Sequence, residues 1–150
     1  MKNIFDKKVT NEMVERIGKL QPNSKAVWGK MNIAQMLAHC NVSYELVYEN
    51  KIPKPSGIKK LFLKFVIKPF VVGEKPFRKN GKTAPEFLMV DKKDFEFEKK
   101  RLVDFLYKTQ ELGEGHFHNK ESHSFGVLTK TEWNNLFYKH LDHHLQQFGV

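Results

Sequence analysis

Residues 128–150 carry the helical pattern that most constrains how this chain of 150 residues folds. Thr129 and Glu132 have the spacing of a capping box, in which each side chain accepts a hydrogen bond from the other residue's backbone N–H. The apolar residues that follow recur at helical spacing: Trp133, Leu136, Phe137, Leu141, Leu145 and Phe148. On a helical wheel of about 100° per residue, His140 and His144 lie inside this stripe, about 40° apart. The sequence therefore predicts a C-terminal helix whose buried face presents two imidazoles.

A third histidine lies on the apolar face of another predicted helix, which begins at Asn32 and extends to about Asn50. Gln35 occupies the third-residue position of a capping box. His39 has Gln35 one turn before it and Ser43 one turn after it on the same face. Around the three histidines, four residues are predicted to line a pocket: Met36, Ser43, Trp133 and Phe137.

The three inward-facing histidines, His39, His140 and His144, are candidate ligands of one metal ion. Two imidazoles at positions i and i+4 can reach a cation from the same side of a helix. Neutral imidazole suits borderline divalent cations such as Zn²⁺, Ni²⁺ and Fe²⁺. A set of three protein ligands leaves a position open, which is typical of catalytic rather than structural sites. The alternative is three buried histidines that are hydrogen-bonded to the backbone or to Gln35, Ser43 and Gln147.

Three neighbouring side chains are weaker candidates. His143 falls about 60° from His140, on the edge of the buried face, and is predicted to flank the site without being a ligand. Cys40 lies about 100° from His39 and is predicted to fill core space as a buried thiol. His123 precedes the last helix, where it could act as a proton shuttle at the mouth of the site or bond a backbone carbonyl as a loop residue.

Two further helices and a long connection complete the predicted fold. One helix is predicted over about 10–20 and another over about 92–112, where Gly113 and Gly115 indicate a C-terminal stop. The connection over 51–91 holds five of the six prolines and includes a short basic amphipathic helix before Pro69. Antiparallel neighbours need only about 2–8 connecting residues, so this length predicts a crossover that makes the second and third long helices parallel. The chain is predicted to be a single all-α domain over 1–150, a four-helix bundle with a long helix 2–helix 3 crossover.

The net charge of +9 is confined to the basic segment 51–82, which holds ten Lys or Arg residues and one acidic residue, Glu74. Phenylalanines lie between these cations: Phe62, Phe65, Phe70 and Phe77. The segment could bind an anionic membrane surface or a nucleic-acid backbone, or draw an anionic substrate toward the pocket. It could instead cap the bundle with its phenylalanines while the lysines stay in water. We favour the capping interpretation and expect no nucleic-acid partner.

Cysteine content and hydropathy bear on the compartment. A single cysteine excludes an internal disulfide and is typical of a reducing cytoplasm. The longest apolar stretch, residues 61–72, is interrupted by two lysines and a proline and is shorter than the roughly 20 residues of a membrane span. The sequence admits a homodimer but does not indicate the oligomeric state.

Three motifs in combination resemble the DinB/YfiT-like superfamily of metalloenzymes: NIAQMLAHC over 32–40, LTKTEW over 128–133 and KHLDHHLQQFGV over 139–150. The resemblance covers nearly the whole chain and is greatest to a branch described only as a domain of unknown function. Members are four-helix bundles with a long helix 2–helix 3 crossover, and many hold a divalent metal through three histidines. The resemblance implies that His39, His140 and His144 are the metal ligands.

The same resemblance bears on activity, because the superfamily includes metal-dependent thiol transferases that use low-molecular-weight thiols. It implies a metal-dependent transferase or hydrolase acting on a small molecule, with thiol transfer favoured and the substrate anionic or a low-molecular-weight thiol. Fold likeness transfers reaction type poorly. The alternative is a non-enzymatic binding module, either a metal-free bundle or an adaptor that uses the basic segment 51–82 on an anionic partner.

Overall fold

Helices carry most of the fold in this computed structural model, which describes residues 1–49 and 51–150. In chain order they are α1 (Lys7–Gly18), α2 (Ile33–Tyr48), α3 (Gly57–Phe62), α4 (Lys68–Val72), α5 (Phe95–Phe117) and α6 (Lys130–Gln147). The predicted helical bundle is confirmed. One addition is a small antiparallel hairpin of β1 (Lys120–Ser122) and β2 (Gly126–Leu128).

Two capping boxes fix the starts of the helices that bear the histidines. Asn32 and Gln35 exchange side-chain-to-backbone hydrogen bonds at the start of α2, and Thr129 and Glu132 do so at the start of α6. Both capping boxes were predicted from the sequence. The predicted end of α2 at Asn50 lies outside the described residues.

The first helix begins three residues earlier than the sequence predicted. Asp6 precedes α1, and Thr10 lies inside the helix, where it is fully buried. The Thr10 hydroxyl donates to the Ile4 carbonyl at 2.7 Å, so its polar group is satisfied within the fold and does not cap the helix. Interior threonines commonly bond nearby backbone in this way.

Contacts along the bundle show how the long helices run. Successive contacts of α2 with α5 advance together along both helices, from Asn41 against Glu98 to Tyr48 against Thr109. These helices are therefore parallel, as the long crossover predicted. Contacts of α2 with α6 run in opposite directions, because His39 meets His144 while Ser43 meets His140. The antiparallel pair places histidines from two helices at the same level.

The crossover contains the predicted basic helix, but that helix does not end before Pro69. It continues from α3 through a π-helical turn (Leu63–Ile67) into α4, with Pro69 at the start of α4. Proline lacks an N–H and clashes with the carbonyl four residues earlier in a regular helix. The wider π turn relieves that conflict. Lys139 then holds the end of α4 by donating to the Phe70 and Gly73 carbonyls.

The predicted loop after α5 is more ordered than expected. Gly113 adopts a φ of 70° and breaks the helix where the sequence indicated a stop, yet one further turn continues to Phe117. Phe117 is fully buried and packs against Phe5, Trp133 and Phe137. The three-residue strands are too short to show a recognisable alternation, so the sequence did not reveal the hairpin.

The hydrophobic core lies between the four long helices and includes, among others, Met13, Ile17, Leu37, Leu102, Leu106, Phe137, Leu141 and Leu145. Two helix-borne histidines, His39 and His144, are buried at its edge. Within residues 1–49 and 51–150, no helix combines the length and the apolar character needed to cross a bilayer.

Candidate metal centre

The three predicted histidines meet at one point between α2 and α6. The Nε2 atoms of His39 and His140 are 2.9 Å apart, and one ring nitrogen from each histidine lies within 4.8 Å of the others. The ring centroids of His144 lie 4.5 Å from His39 and 4.8 Å from His140. The i, i+4 spacing on α6 and the antiparallel pairing with α2 together produce this convergence.

Each of the three rings has an outer hydrogen bond from its Nδ1 atom. His39 Nδ1 lies 2.9 Å from the Phe87 carbonyl oxygen. His144 Nδ1 lies 2.8 Å from Gln147 Oε1, and His140 Nδ1 lies 2.9 Å from Ser43 Oγ. Such outer partners fix the orientation and tautomer of metal-binding histidines.

Two of the tautomers follow from these partners. The Phe87 carbonyl can only accept, so His39 carries its proton on Nδ1 and has a free lone pair on Nε2. The Gln147 amide is oriented by its NH₂ group, which donates to the Trp28 carbonyl at 2.7 Å. Gln147 Oε1 therefore accepts a hydrogen bond from His144 Nδ1–H, which leaves a free lone pair on His144 Nε2.

His140 has a partner that permits either tautomer. The Ser43 hydroxyl can donate or accept. With Ser43 as donor, His140 carries its proton on Nε2 and donates to the Nε2 atom of His39. With Ser43 as acceptor, His140 carries its proton on Nδ1, and its Nε2 atom offers a third free lone pair. The change from a hydrogen-bonded pair to three nitrogen ligands requires rotation of the Ser43 hydroxyl and a tautomer shift of His140. It also requires the Nε2 atoms of His39 and His140 to separate slightly, because two nitrogens bound to one tetrahedral zinc ion lie about 3.4 Å apart.

Burial keeps these imidazoles neutral. Desolvation lowers the pKa of His144 to about 3, and the neighbouring His39 adds to the effect. Burial, together with the neighbouring rings of His144, His39 and His143, holds the pKa of His140 well below its usual value. The pKa of His39 is also lowered by burial, while its bond to the Phe87 carbonyl opposes the shift. Near neutral pH all three rings are therefore available as uncharged donors.

This donor set fits a borderline divalent cation. Three neutral imidazole nitrogens suit zinc, nickel or iron, whereas magnesium and calcium prefer oxygen ligands. The cluster could hold such an ion, and its chemistry does not identify which one. Three protein ligands leave room for further ligands on the side that faces the cavity.

A cavity of about 790 Å³ opens beside the histidines. Its lining includes all three rings, apolar side chains of α2 and α6, and residues of the crossover. The crossover contributes the apolar side chains Leu63, Ile67, Val71 and Phe77 and the cationic side chains Lys59, Arg78 and Lys82. The volume is within the range of small-molecule sites, which is about 300–1,000 Å³.

Two of the four predicted pocket residues lie elsewhere. Ser43 and Trp133 line the cavity, whereas Met36 and Phe137 are fully buried in the hydrophobic core. Met36 accepts a contact from the Cys40 thiol, and Phe137 stacks on Trp133. The cavity does reach these levels, because the neighbouring residues Gln35 and Leu136 line it, so the side chains of Met36 and Phe137 point past it into the core.

The structure also shows where the three weaker candidates, His143, Cys40 and His123, lie. His143 lines the cavity outside the three-histidine group and packs against Trp28 and Phe77. Cys40 is buried, and burial raises the pKa of its thiol. His123 also lines the cavity, with its Nε2 atom 3.0 Å from the Ile52 carbonyl oxygen and its Nδ1 atom 2.8 Å from Ser124 Oγ. That carbonyl contact is the loop-residue arrangement considered in the sequence analysis.

The sequence predicted Ser43 and Gln147 as hydrogen-bond partners of the buried histidines, and both bond a histidine Nδ1 atom. Gln35 does not, because its side chain completes the Asn32 capping box. The Phe87 and Trp28 carbonyls were missed, since backbone acceptors contributed by loops leave no residue-type signal. Gly29 is a further missed position: its φ is 86°, and a Cβ atom there would lie 2.3 Å from Gln147 Nε2.

A sequence model of a family described as "Protein of unknown function (DUF1569)" matches residues 4–149. The chain belongs to the DUF1569 family. The match includes all three histidines, the crossover and the outer partners of the rings. No curated protein and no solved structure with which this DUF1569 member was compared matches it.

Proposed function

We propose that this member of the DUF1569 family is a divalent-metal-dependent enzyme acting on a small molecule in the cavity beside α2 and α6. Zinc, nickel or iron would be held by His39, His140 and His144. The observation that carries this proposal is the outer hydrogen bond on every Nδ1 atom, which directs the three Nε2 atoms toward one point. Core histidines with a purely structural role do not need their second nitrogens to converge.

The roles of the chain's own groups follow from that geometry. His39 and His144 are fixed in the ligating tautomer by the Phe87 carbonyl and by Gln147. The Ser43 hydroxyl oxygen accepts a hydrogen bond from His140 Nδ1–H when His140 Nε2 would serve as a ligand. A bound divalent cation would supply Lewis-acid activation of a thiol or of water for attack on an electrophilic substrate.

Resemblance to the DinB/YfiT-like superfamily supports thiol-dependent transfer over hydrolysis. The cavity lining is compatible with a substrate or thiol that is largely apolar and carries an anionic group. Its walls include Leu63, Ile67 and Phe77, while Arg78 and Lys82 offer positive charge. His123 is also on the wall, but both of its ring nitrogens are hydrogen-bonded within the surrounding loops, so we assign it no proton-transfer role.

Metal analysis tests the proposal directly. Protein purified without a histidine tag, and reconstituted with Zn²⁺, Ni²⁺ or Fe²⁺, should hold near-stoichiometric metal by elemental analysis. His140→Ala should lose it, whereas His118→Ala should not, because His118 is an exposed histidine. Absence of metal from the reconstituted parent protein would remove the basis of the enzyme proposal.

A second candidate is a non-enzymatic role, as a metal-free bundle or as an adaptor that uses the basic segment 51–82. The observation that favours an adaptor is the outward face of the crossover helix, where large apolar side chains are exposed. An adaptor role does not exclude metal binding, since the exposed face lies on the side of the crossover helix away from the cavity.

A further inference from the structure

The crossover helix, defined here as residues 57–72, presents two different apolar faces. Leu63, Ile67 and Val71 lie on the inner face and line the cavity. The outer face carries Ile58, Phe65 and Phe70, which are 86%, 68% and 72% exposed. Leu61 and Phe62 are also more than half exposed on the same helix. The expectation that these phenylalanines cap the bundle is therefore wrong for Phe62, Phe65 and Phe70, although Phe77 does turn inward to the cavity.

The crossover helix is held firmly enough for its outer face to be a defined surface. Lys68 pairs with Glu132 of α6 at 2.8 Å, and Lys59 pairs with Glu86 at 2.9 Å. Lys139 holds its C-terminal end through the Phe70 and Gly73 carbonyls. The anchors lie at both ends, so the apolar outer face cannot turn inward without breaking them.

Positive charge lies beside this apolar face. The helix itself contains four lysines and no acidic residue. Lys60 and Lys64 are exposed one turn apart, and Lys60 is 3.9 Å from its nearest acidic partner, Glu121. Within the part of the chain that the structure describes, Lys64 and Lys75 make no ion pair with a carboxylate, whereas Arg78 lines the cavity. The cationic excess is thus available to an external anionic partner.

We propose that the outer face of the crossover helix docks on an anionic lipid surface. Amphipathic helices that lie in a membrane interface combine bulky apolar side chains with lysines that reach the headgroups. Each basic residue near such a surface adds attraction that salt screens. Docking would bring the helix that walls the cavity against the bilayer, and this inference does not depend on metal binding.

Two other occupants fit the surface less well. A nucleic acid would use the cations and could stack bases on Phe65 or Phe70, but the aliphatic side chains of Ile58 and Leu61 offer no stacking platform. A second copy of the chain would place one strongly basic segment against another, and like charges repel. A lipid surface satisfies both the apolar and the cationic character of the helix.

Vesicle flotation of the full chain tests the proposal. The protein should float with phosphatidylcholine vesicles that contain phosphatidylglycerol, bind pure phosphatidylcholine weakly, and dissociate as salt is raised. Lys64→Glu should weaken binding on the order of thirtyfold, because it reverses one charge near the surface. The double variant Phe65→Ser/Phe70→Ser should weaken binding at least about tenfold.

Matched controls lie outside residues 57–72. Lys25→Glu makes the same charge change at an exposed position, and Val90→Ser removes an equally exposed apolar side chain. Both should bind vesicles like the parent. Circular dichroism and thermal unfolding of each variant establish that the chain remains folded.

Three results would overturn the inference. One is failure of the folded parent to bind anionic vesicles at low salt. Another is equal loss of binding in the control variants. The third is a different occupant: duplex DNA or RNA bound in preference to vesicles, or a dimer in solution by light scattering that Phe65→Ser/Phe70→Ser dissociates.

Discussion

The histidine centre and the crossover helix lie on two sides of one cavity, but they differ in how many of their side chains have partners within the chain. At the histidine centre, each ring is on a capped helix and each Nδ1 atom has a fixed partner. On the crossover helix, the outer side chains lack such partners and large apolar groups face solvent. The hydrogen bonds of the first region are made within the chain, whereas the second region is the surface that we propose docks on an anionic lipid.

The largest expected contrast between the two regions is in stability. Phe137→Ala removes a fully buried ring from the bundle core and should lower the free energy of unfolding by about 3–5 kcal/mol. Phe70→Ala, on the outer face of the crossover helix, should change it by no more than about 0.5 kcal/mol. Denaturant unfolding measures both. A large loss for Phe70→Ala would mean that its face is covered in the free protein.

A second contrast concerns pH, because the lowered histidine pKa values are a property of the centre alone. Above the unfolded-state pKa of 6.5 these rings are neutral in both states, and their contribution does not vary. As pH falls below 6.5, these histidines bind protons in the unfolded chain but stay neutral in the folded chain. The free energy of unfolding therefore decreases until pH reaches the folded-state pKa, which is about 3 for His144. The metal-free protein should lose up to about 1.4 kcal/mol per pH unit for each such ring.

Denaturant unfolding of metal-free protein between neutral pH and about pH 5 measures this slope, above the range where most carboxylates titrate. His144→Leu should give a shallower dependence than the parent, because one neutral ring is gone. An unchanged slope would show that His144 is not responsible.

A third test asks whether the outer hydrogen bonds matter to the centre. Gln147→Leu removes the acceptor of His144 Nδ1–H and should reduce metal affinity by about 10–100-fold without unfolding the bundle. Gln146→Leu is the matched control, since Gln146 is exposed and bonds Asp142 instead. Titration calorimetry with Zn²⁺ separates them. Equal affinities would argue against tautomer control by Gln147.

The smallest expected effect comes from the loop that supports Gln147. Gly29→Ala forces a residue with φ of 86° to carry a Cβ atom beside Gln147 Nε2. We expect a loss of about 1–2 kcal/mol in unfolding free energy and a weaker metal site. Gly18→Ala, where a Cβ meets no atom within 4 Å, should be neutral or stabilising. Thermal unfolding and the same calorimetry provide the comparison.

Much of the bundle follows from local sequence patterns. The capping boxes at Asn32 and Thr129, the stop at Gly113 and the apolar stripes are signals within one or two turns, and each corresponds to the observed structure. The length of the crossover predicted the parallel pairing of α2 and α5. The sequence prediction was wrong for Thr10, whose hydroxyl bonds the Ile4 carbonyl just before the helix and does not cap it. It was also wrong for Met36, whose place in the core depends on packing against other helices.

By itself, the sequence determined which three imidazoles face inward, because helical periodicity assigns each residue to a face. It also determined where positive charge is concentrated. Only the tertiary structure decided that the rings converge, which nitrogens remain free and which face of the crossover helix is exposed. Those properties depend on a backbone carbonyl at Phe87, an amide oriented by Trp28 and anchors from α6. All are contacts between residues far apart in the chain, and no local pattern encodes them.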